Sequence, residues 1–124
     1  MDNALPDLPG FDTQAALKLL NNNPRLYNMI LKRFRTQYAA VFAGLSATLK
    51  GTDWEIIQRE AHTIKGLAGN IGHPALREAA LALELSLKDA ASPDTVAVGA
   101  LADKLLSSLS SVLDTLGRAY PELQ

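Results

Sequence analysis

The chain has 124 residues, of which 48% are hydrophobic and 20% charged, with 12 Lys and Arg against 13 Asp and Glu for a net charge of −1, and no cysteine. That length suits one domain with a single core, and the near-balance of charge leaves no basic field for a nucleic-acid backbone and no polybasic patch for a membrane surface. Without cysteine there are no disulfides, no thiol catalysis and no Cys-based zinc site. Two histidines with no carboxylate cluster give no expectation of a bound metal either. A protein partner or a small substrate is expected instead. No apolar stretch approaches the roughly 20 residues of a bilayer span, and the opening Met1-Asp2-Asn3-Ala4 has no signal pattern. A soluble, cytoplasmic chain is the expectation.

In chain order, one punctuation pattern recurs, in which a polar cap, often with a proline, precedes apolar residues three and four apart. Residues 1–10, with Pro6, Pro9 and Gly10, read as a linker or lead-in, and a single helical domain follows over residues 11–120. The proline-rich start favours a domain cut from the C-terminal end of a longer protein. Asp12 can cap a short helix to about Asn21. Asn23 and Pro24 supply the N-cap and first position of a long helix to about Leu49, with the apolar stripe Leu26, Ile30, Phe34, Tyr38, Val41, Leu45 and Leu49. Lys50-Gly51 stops it, and Thr52-Asp53-Trp54-Glu55 matches a capping box. The third helix carries the seam Trp54, Ile57, Ala61, Ile64, Ala68 and Ile71. A fourth follows Gly72-His73-Pro74 with Leu76, Ala79 or Ala80, Leu83, Leu87 and Ala90 facing inward. A fifth follows Ser92-Pro93-Asp94, using Val98, Leu101, Leu105, Leu109, Val112 and Leu116. No segment alternates with period two. The fold class is all-α: an antiparallel up-and-down four-helix bundle with a short accessory N-terminal helix.

His62 lies one residue after the seam position Ala61, about 100° round the helix, so it borders the core and stays accessible. Gln58, His62, Lys65 and Gly69 form a second stripe along that edge. Gly66 costs about 1 kcal/mol relative to alanine inside a helix, and Gly69 a similar amount. Together they bare the helix beside His62, as an approaching bulky partner requires. Lys65 places a positive charge one turn away, suited to an anionic group. The spacing of Gly66, Gly69 and Gly72 does not make a phosphate loop, because no strand precedes it and no Gly-Lys-Ser/Thr follows. His73 reads as a loop or cap residue before Pro74. Ser107 to Ser111 lie on a solvated face, with no base and oxyanion partners.

The run Ala61-His62-Thr63-Ile64-Lys65-Gly66 through Gly69-Asn70-Ile71-Gly72, followed by Leu76, Ala79-Ala80 and Leu83-Glu84, resembles the histidine phosphotransfer (HPt) domain of bacterial multistep phosphorelays. The resemblance extends to Leu8-Pro9-Gly10-Phe11-Asp12, Asn23-Pro24 and Thr52-Asp53-Trp54, as in HPt domains that end hybrid sensor histidine kinases. It implies a four-helix bundle with an accessory N-terminal helix, in which His62 is the phosphoacceptor through Nε2. It also implies that Lys65 helps stabilise the phosphoryl group, Gly66 leaves room for the partner, and Glu84 hydrogen-bonds Nδ1 and fixes the tautomer. Lys88, one turn beyond Glu84, would add positive charge. Leu67 departs from the small residue frequent in the family and reads as a packing or docking contact.

The partners so implied are response-regulator receiver domains, with a phosphoryl group taken from one receiver aspartate and passed to another. Nothing in the sequence gathers acidic residues for magnesium or builds a nucleotide site. The chain is therefore expected to bind no cofactor of its own, the receiver bringing the Mg²⁺, and to have no autokinase activity. It is expected to act as a monomer. The rival expectation is a helical interaction module that binds a receiver or another signalling partner without being phosphorylated.

Overall fold

A computed structural model of the chain describes residues 5–88 and 92–123. Among these there are five α-helices, a terminal 3-10 turn and no strand. Helix α1 spans Thr13–Leu19, with the Asp12 carboxylate accepting from the Ala15 N–H at 3.1 Å. It stops two residues short of the expected Asn21, because Asn21 and Asn22 turn to φ +54° and +56°, a left-handed conformation that asparagine tolerates better than most residues. Asn23 then caps α2, Pro24–Leu49, with Pro24 in the first turn.

The expected stripe of α2 holds at Phe34, Tyr38, Leu45 and Leu49, which are buried, but not at Leu26, Ile30 and Val41. Tyr27 and Leu31 are buried in the first turns, while Leu26 and Ile30 are only half-buried and Val41 is exposed. Two neighbouring stripes fit a three-and-four spacing there, and polar partners decide between them. The buried Tyr27 hydroxyl donates to the Ile71 carbonyl at 2.6 Å, and the Tyr120 hydroxyl donates to the Asn28 side-chain oxygen. Burial pushes the Tyr27 phenol up to about 12, with Asp12 adding to the effect, so it remains a donor.

Helix α3, Trp54–Ile71, is capped by Asp53, whose carboxylate accepts from the Ile56 N–H at 3.3 Å. The expected cap, Thr52, sits one residue too early. The seam from Ile57 to Ile71 is buried as expected, with Trp54 packed at its margin. The helix ends at Gly72, φ +76°, where a Cβ would come within 2.6 Å of the Asp12 carbonyl oxygen. The Asp12 N–H donates to the Gly72 carbonyl at 2.6 Å, joining the start of α1 to the end of α3. Only glycine combines this φ with so close a backbone approach.

Helix α4, Pro74–Leu87, buries Leu76, Ala79, Ala80, Leu83 and Leu87. Ala90, expected on the same face, lies outside the described residues. Helix α5, Thr95–Ala119, starts at Asp94, which accepts from both Val96 and Ala97 N–H groups. Its expected stripe is buried apart from the half-buried Leu101, and Ala102, Leu106 and Leu113 join it because α5 faces both α2 and α4. By length and mean hydropathy, 1.4, α5 is apolar enough to cross a membrane. Here its apolar side closes the core, and Asp103, Lys104, Asp114 and Arg118 occupy the other side. Leu5 and Leu8 of the lead-in, and Phe11 just after it, also pack onto that core.

Cross-helix contacts give the relative directions. His62 meets Glu84 and Gly69 faces Arg77, so α3 and α4 run antiparallel. Tyr120 meets Asn28 and Arg35 reaches the Leu113 carbonyl at 3.0 Å, so α2 and α5 do as well. Helix α3 packs most extensively against α4 and much less against α2. The tight α3–α4 pair carries the site.

Candidate functional site

His62 occupies the middle of α3, one residue past the fully buried Ala61, and its side chain is 65% exposed. Glu84 follows the buried Leu83 on α4, and the antiparallel register sets it opposite His62 with only 14% of its side chain exposed. Its Oε2 lies 2.6 Å from His62 Nδ1, and its Oε1 lies 2.8 Å from the Lys65 ammonium. The Lys65 ammonium, first of all, and the His62 ring hold the Glu84 carboxyl below the ordinary carboxylate range against the opposing effect of its burial. An ionised carboxylate can only accept. Nδ1 must therefore carry the proton, which in a neutral imidazole leaves the lone pair on Nε2. Among the described residues, Nε2 has no hydrogen-bond partner.

The surroundings of the ring are asymmetric. At Gly66 an added Cβ would meet nothing within 4 Å, so the approach over the next turn is open as expected. Gly69 is different. Its bare surface is covered by Arg77 from α4, whose Cδ lies 3.8 Å from where a Cβ would stand. The expectation that Gly69 also clears a path is corrected: this glycine seats the stem of Arg77. Sequence reasoning passed over Arg77, although pairing α3 and α4 antiparallel about Gly72-His73 would have placed it across from Gly69. Gln58, half-buried, sits one turn before His62 and makes no hydrogen bond to the His62–Glu84–Lys65 group among the described residues. Lys88 is exposed at the C-cap of α4, where its backbone N–H reaches the carbonyls of Glu84 and Leu85, and its ammonium makes no ion pair among the described residues.

His73 is the N-cap of α4, as its place before Pro74 suggested. Its Nδ1 accepts from the Leu76 N–H at 3.1 Å, and its ring meets Phe11 edge-on at 4.8 Å between centroids. Burial lowers its pKa from 6.5, partly offset by a backbone hydrogen bond.

The site is thus a single solvent-facing imidazole, held through one nitrogen by an ion-paired carboxylate, on an all-helical frame. The family model described as Hpt domain matches residues 29–119, from the first turns of α2 to the end of α5. The chain belongs to the Hpt domain family, whose members serve phosphotransfer in two-component signalling and interact with the receiver domains of response regulators. Comparison with curated proteins and with solved structures gave no match.

Proposed function

We propose that this protein is a phosphorelay carrier in which His62 accepts a phosphoryl group from a receiver aspartate and passes it to a second receiver. The observation that carries the reading is the pairing of Nδ1 with Glu84 at 2.6 Å on a ring whose other nitrogen is uncovered. Nε2 attacks phosphorus, the P–N bond forms, and the P–O bond to the aspartate breaks. Return transfer reverses these changes with another carboxylate as nucleophile. Held by Glu84, the ring presents its lone pair in a fixed direction, and such alignment is a large part of catalysis when little covalent chemistry is asked of the protein.

Gly66 admits the receiver. Lys65 contributes positive charge beside the developing phosphohistidine. Lys88 extends the cationic edge, and Gln58 and Gly69 border the docking face, Gly69 by seating Arg77. The receiver brings the phosphorylated aspartate and the Mg²⁺. The carrier itself binds no cofactor and has no autokinase activity. The frame is an antiparallel up-and-down four-helix bundle, α2 to α5, with α1 as accessory helix, monomeric as an isolated domain and cytoplasmic, of the type that ends hybrid sensor kinases.

The test is incubation with a phosphorylated receiver and Mg²⁺. Acid-labile, base-stable label is expected on the wild type, and it should leave for an added unphosphorylated receiver. His62→Gln is expected to stay unlabelled. Equal labelling of that variant overturns the reading.

A further inference from the structure

The antiparallel register that sets Glu84 opposite His62 also sets Arg77 opposite Gly69, two helical turns along the pair. From His62 to Gly69 an α-helix returns to within about 20° of the same direction and advances by about 10.5 Å. Gly69 therefore lies almost in line with His62. Between them the surface runs over Gly66, where an added Cβ would meet nothing within 4 Å. At the far end the stem of Arg77 crosses onto α3, its Cδ 3.8 Å and its Nε 3.9 Å from where a Gly69 Cβ would stand. Arg77 is exposed, and its side chain makes no ion pair and no hydrogen bond among the described residues. The Lys65 ammonium, by contrast, is already engaged by Glu84 at 2.8 Å. A standard protein interface buries about 800 Å² on each partner, a disc of roughly 16 Å radius. A receiver centred on His62 therefore covers Arg77, which is still too distant to touch the transferred phosphoryl group.

We propose that Arg77 selects among receivers: its guanidinium pairs with a carboxylate on the receiver surface beside the phosphorylation pocket, and receivers without an acidic residue there are accepted poorly. The proposal rests on the reading of His62 as a phosphoacceptor served by receivers. Arginine suits this task because its planar fork takes a carboxylate through two parallel hydrogen bonds, which fixes orientation as well as charge. With the stem already resting on α3, less rotamer freedom is lost on docking. The bare helix at Gly69 is what lets the stem lie so close. Because the guanidinium does not reach the reacting atoms, its effect falls on receiver binding and on the choice of partner, not on the chemical step.

The experiment separates docking from chemistry. Arg77→Met keeps an unbranched stem over Gly69 and removes the charge, and Arg77→Lys keeps the charge and removes the fork. Initial labelling rates of wild type and both variants are measured against a concentration series of each phosphorylated receiver, with Mg²⁺, that labels the wild type. They are also measured with phosphoramidate, a small donor that needs no protein docking. For the receiver with the highest kcat/KM, Arg77→Met is expected to raise KM by about tenfold with kcat unchanged, and Arg77→Lys by less. The rise of wild-type KM between about 0.05 M and about 0.5 M salt should flatten in Arg77→Met. Receivers that label the wild type slowly should lose less, so that the variant discriminates less. Among Asp→Asn and Glu→Gln variants of the best receiver outside its phosphorylation pocket, one should raise KM for the wild type and not for Arg77→Met. Phosphoramidate should label all three proteins at the same rate. An unchanged KM in Arg77→Met, a uniform loss across receivers, a slower reaction of that variant with phosphoramidate, or no receiver carboxylate coupled to Arg77 overturns this proposal alone. Absence of label on wild-type His62 overturns the phosphoacceptor reading and this proposal with it.

Discussion

His62 and His73 bring the same ring to opposite surroundings. His62 stands mid-helix, largely exposed, with Nδ1 paired to a carboxylate and Nε2 uncovered. His73 stands at a helix start, half-buried against Phe11, with Nδ1 accepting a backbone N–H. The partner of Nδ1 decides which ring nitrogen carries the proton: a carboxylate draws a donor and frees the Nε2 lone pair, whereas a backbone N–H draws the lone pair of Nδ1 itself. One histidine is left open for chemistry, and the other is consumed in joining α4 to the lead-in.

That contrast can be broken in graded steps. The largest effect is expected at His62, where Gln abolishes phosphoryl acceptance, while loss of the pair with Glu84 costs unfolding stability no more than about 1 kcal/mol because Lys65 still faces that carboxylate. His73→Gln should keep acceptance. Next is Gly72→Ala, which forces a side chain into a left-handed φ and against the Asp12 carbonyl. A loss of about 2–4 kcal/mol is expected in urea unfolding, with the labelling rate per folded molecule unchanged. Gly66→Leu fills the open approach to His62. It should slow labelling by a phosphorylated receiver by about 10- to 100-fold and leave labelling by phosphoramidate intact.

The smaller effects fall at His73. His73→Ala removes a helix cap and should cost about 1 kcal/mol. Because burial lowers the His73 pKa from 6.5, the unfolded chain takes up the proton more readily than the folded one. The contribution of His73 to stability is then complete above about pH 6.5, declines as pH falls toward the folded-state value, and levels off below it. Unfolding followed from about pH 8 to about pH 5 should show this slope in the wild type and not in His73→Ala. Glu84, whose pKa is lowered from 4.5, loses its contribution in a separate and more acidic window.

The helices and most of their caps were legible in the sequence, because Asn23-Pro24, His73-Pro74 and Asp94 are local signals that need no tertiary context. So was the α3 seam, whose apolar residues fit one register only. The first turns of α2 were not, since Leu26 and Ile30 compete with Tyr27 and Leu31 and only the distant Ile71 carbonyl and Tyr120 hydroxyl settle the choice. At the site, His62, Lys65 and Gly66 share one helix and could be read together. Two facts depend on the register of a second helix. Lys65 is paired to Glu84, and Gly69 lies beneath Arg77; spacing along one helix cannot show either.

The most direct measurement is the position of the phosphoryl group in the wild-type protein. After incubation with a phosphorylated receiver and Mg²⁺, peptide mapping by mass spectrometry under neutral conditions should find it on His62, with His73 unmodified. Phosphorylation at His73, or on neither histidine while the receiver loses its label to this protein, would contradict the assignment.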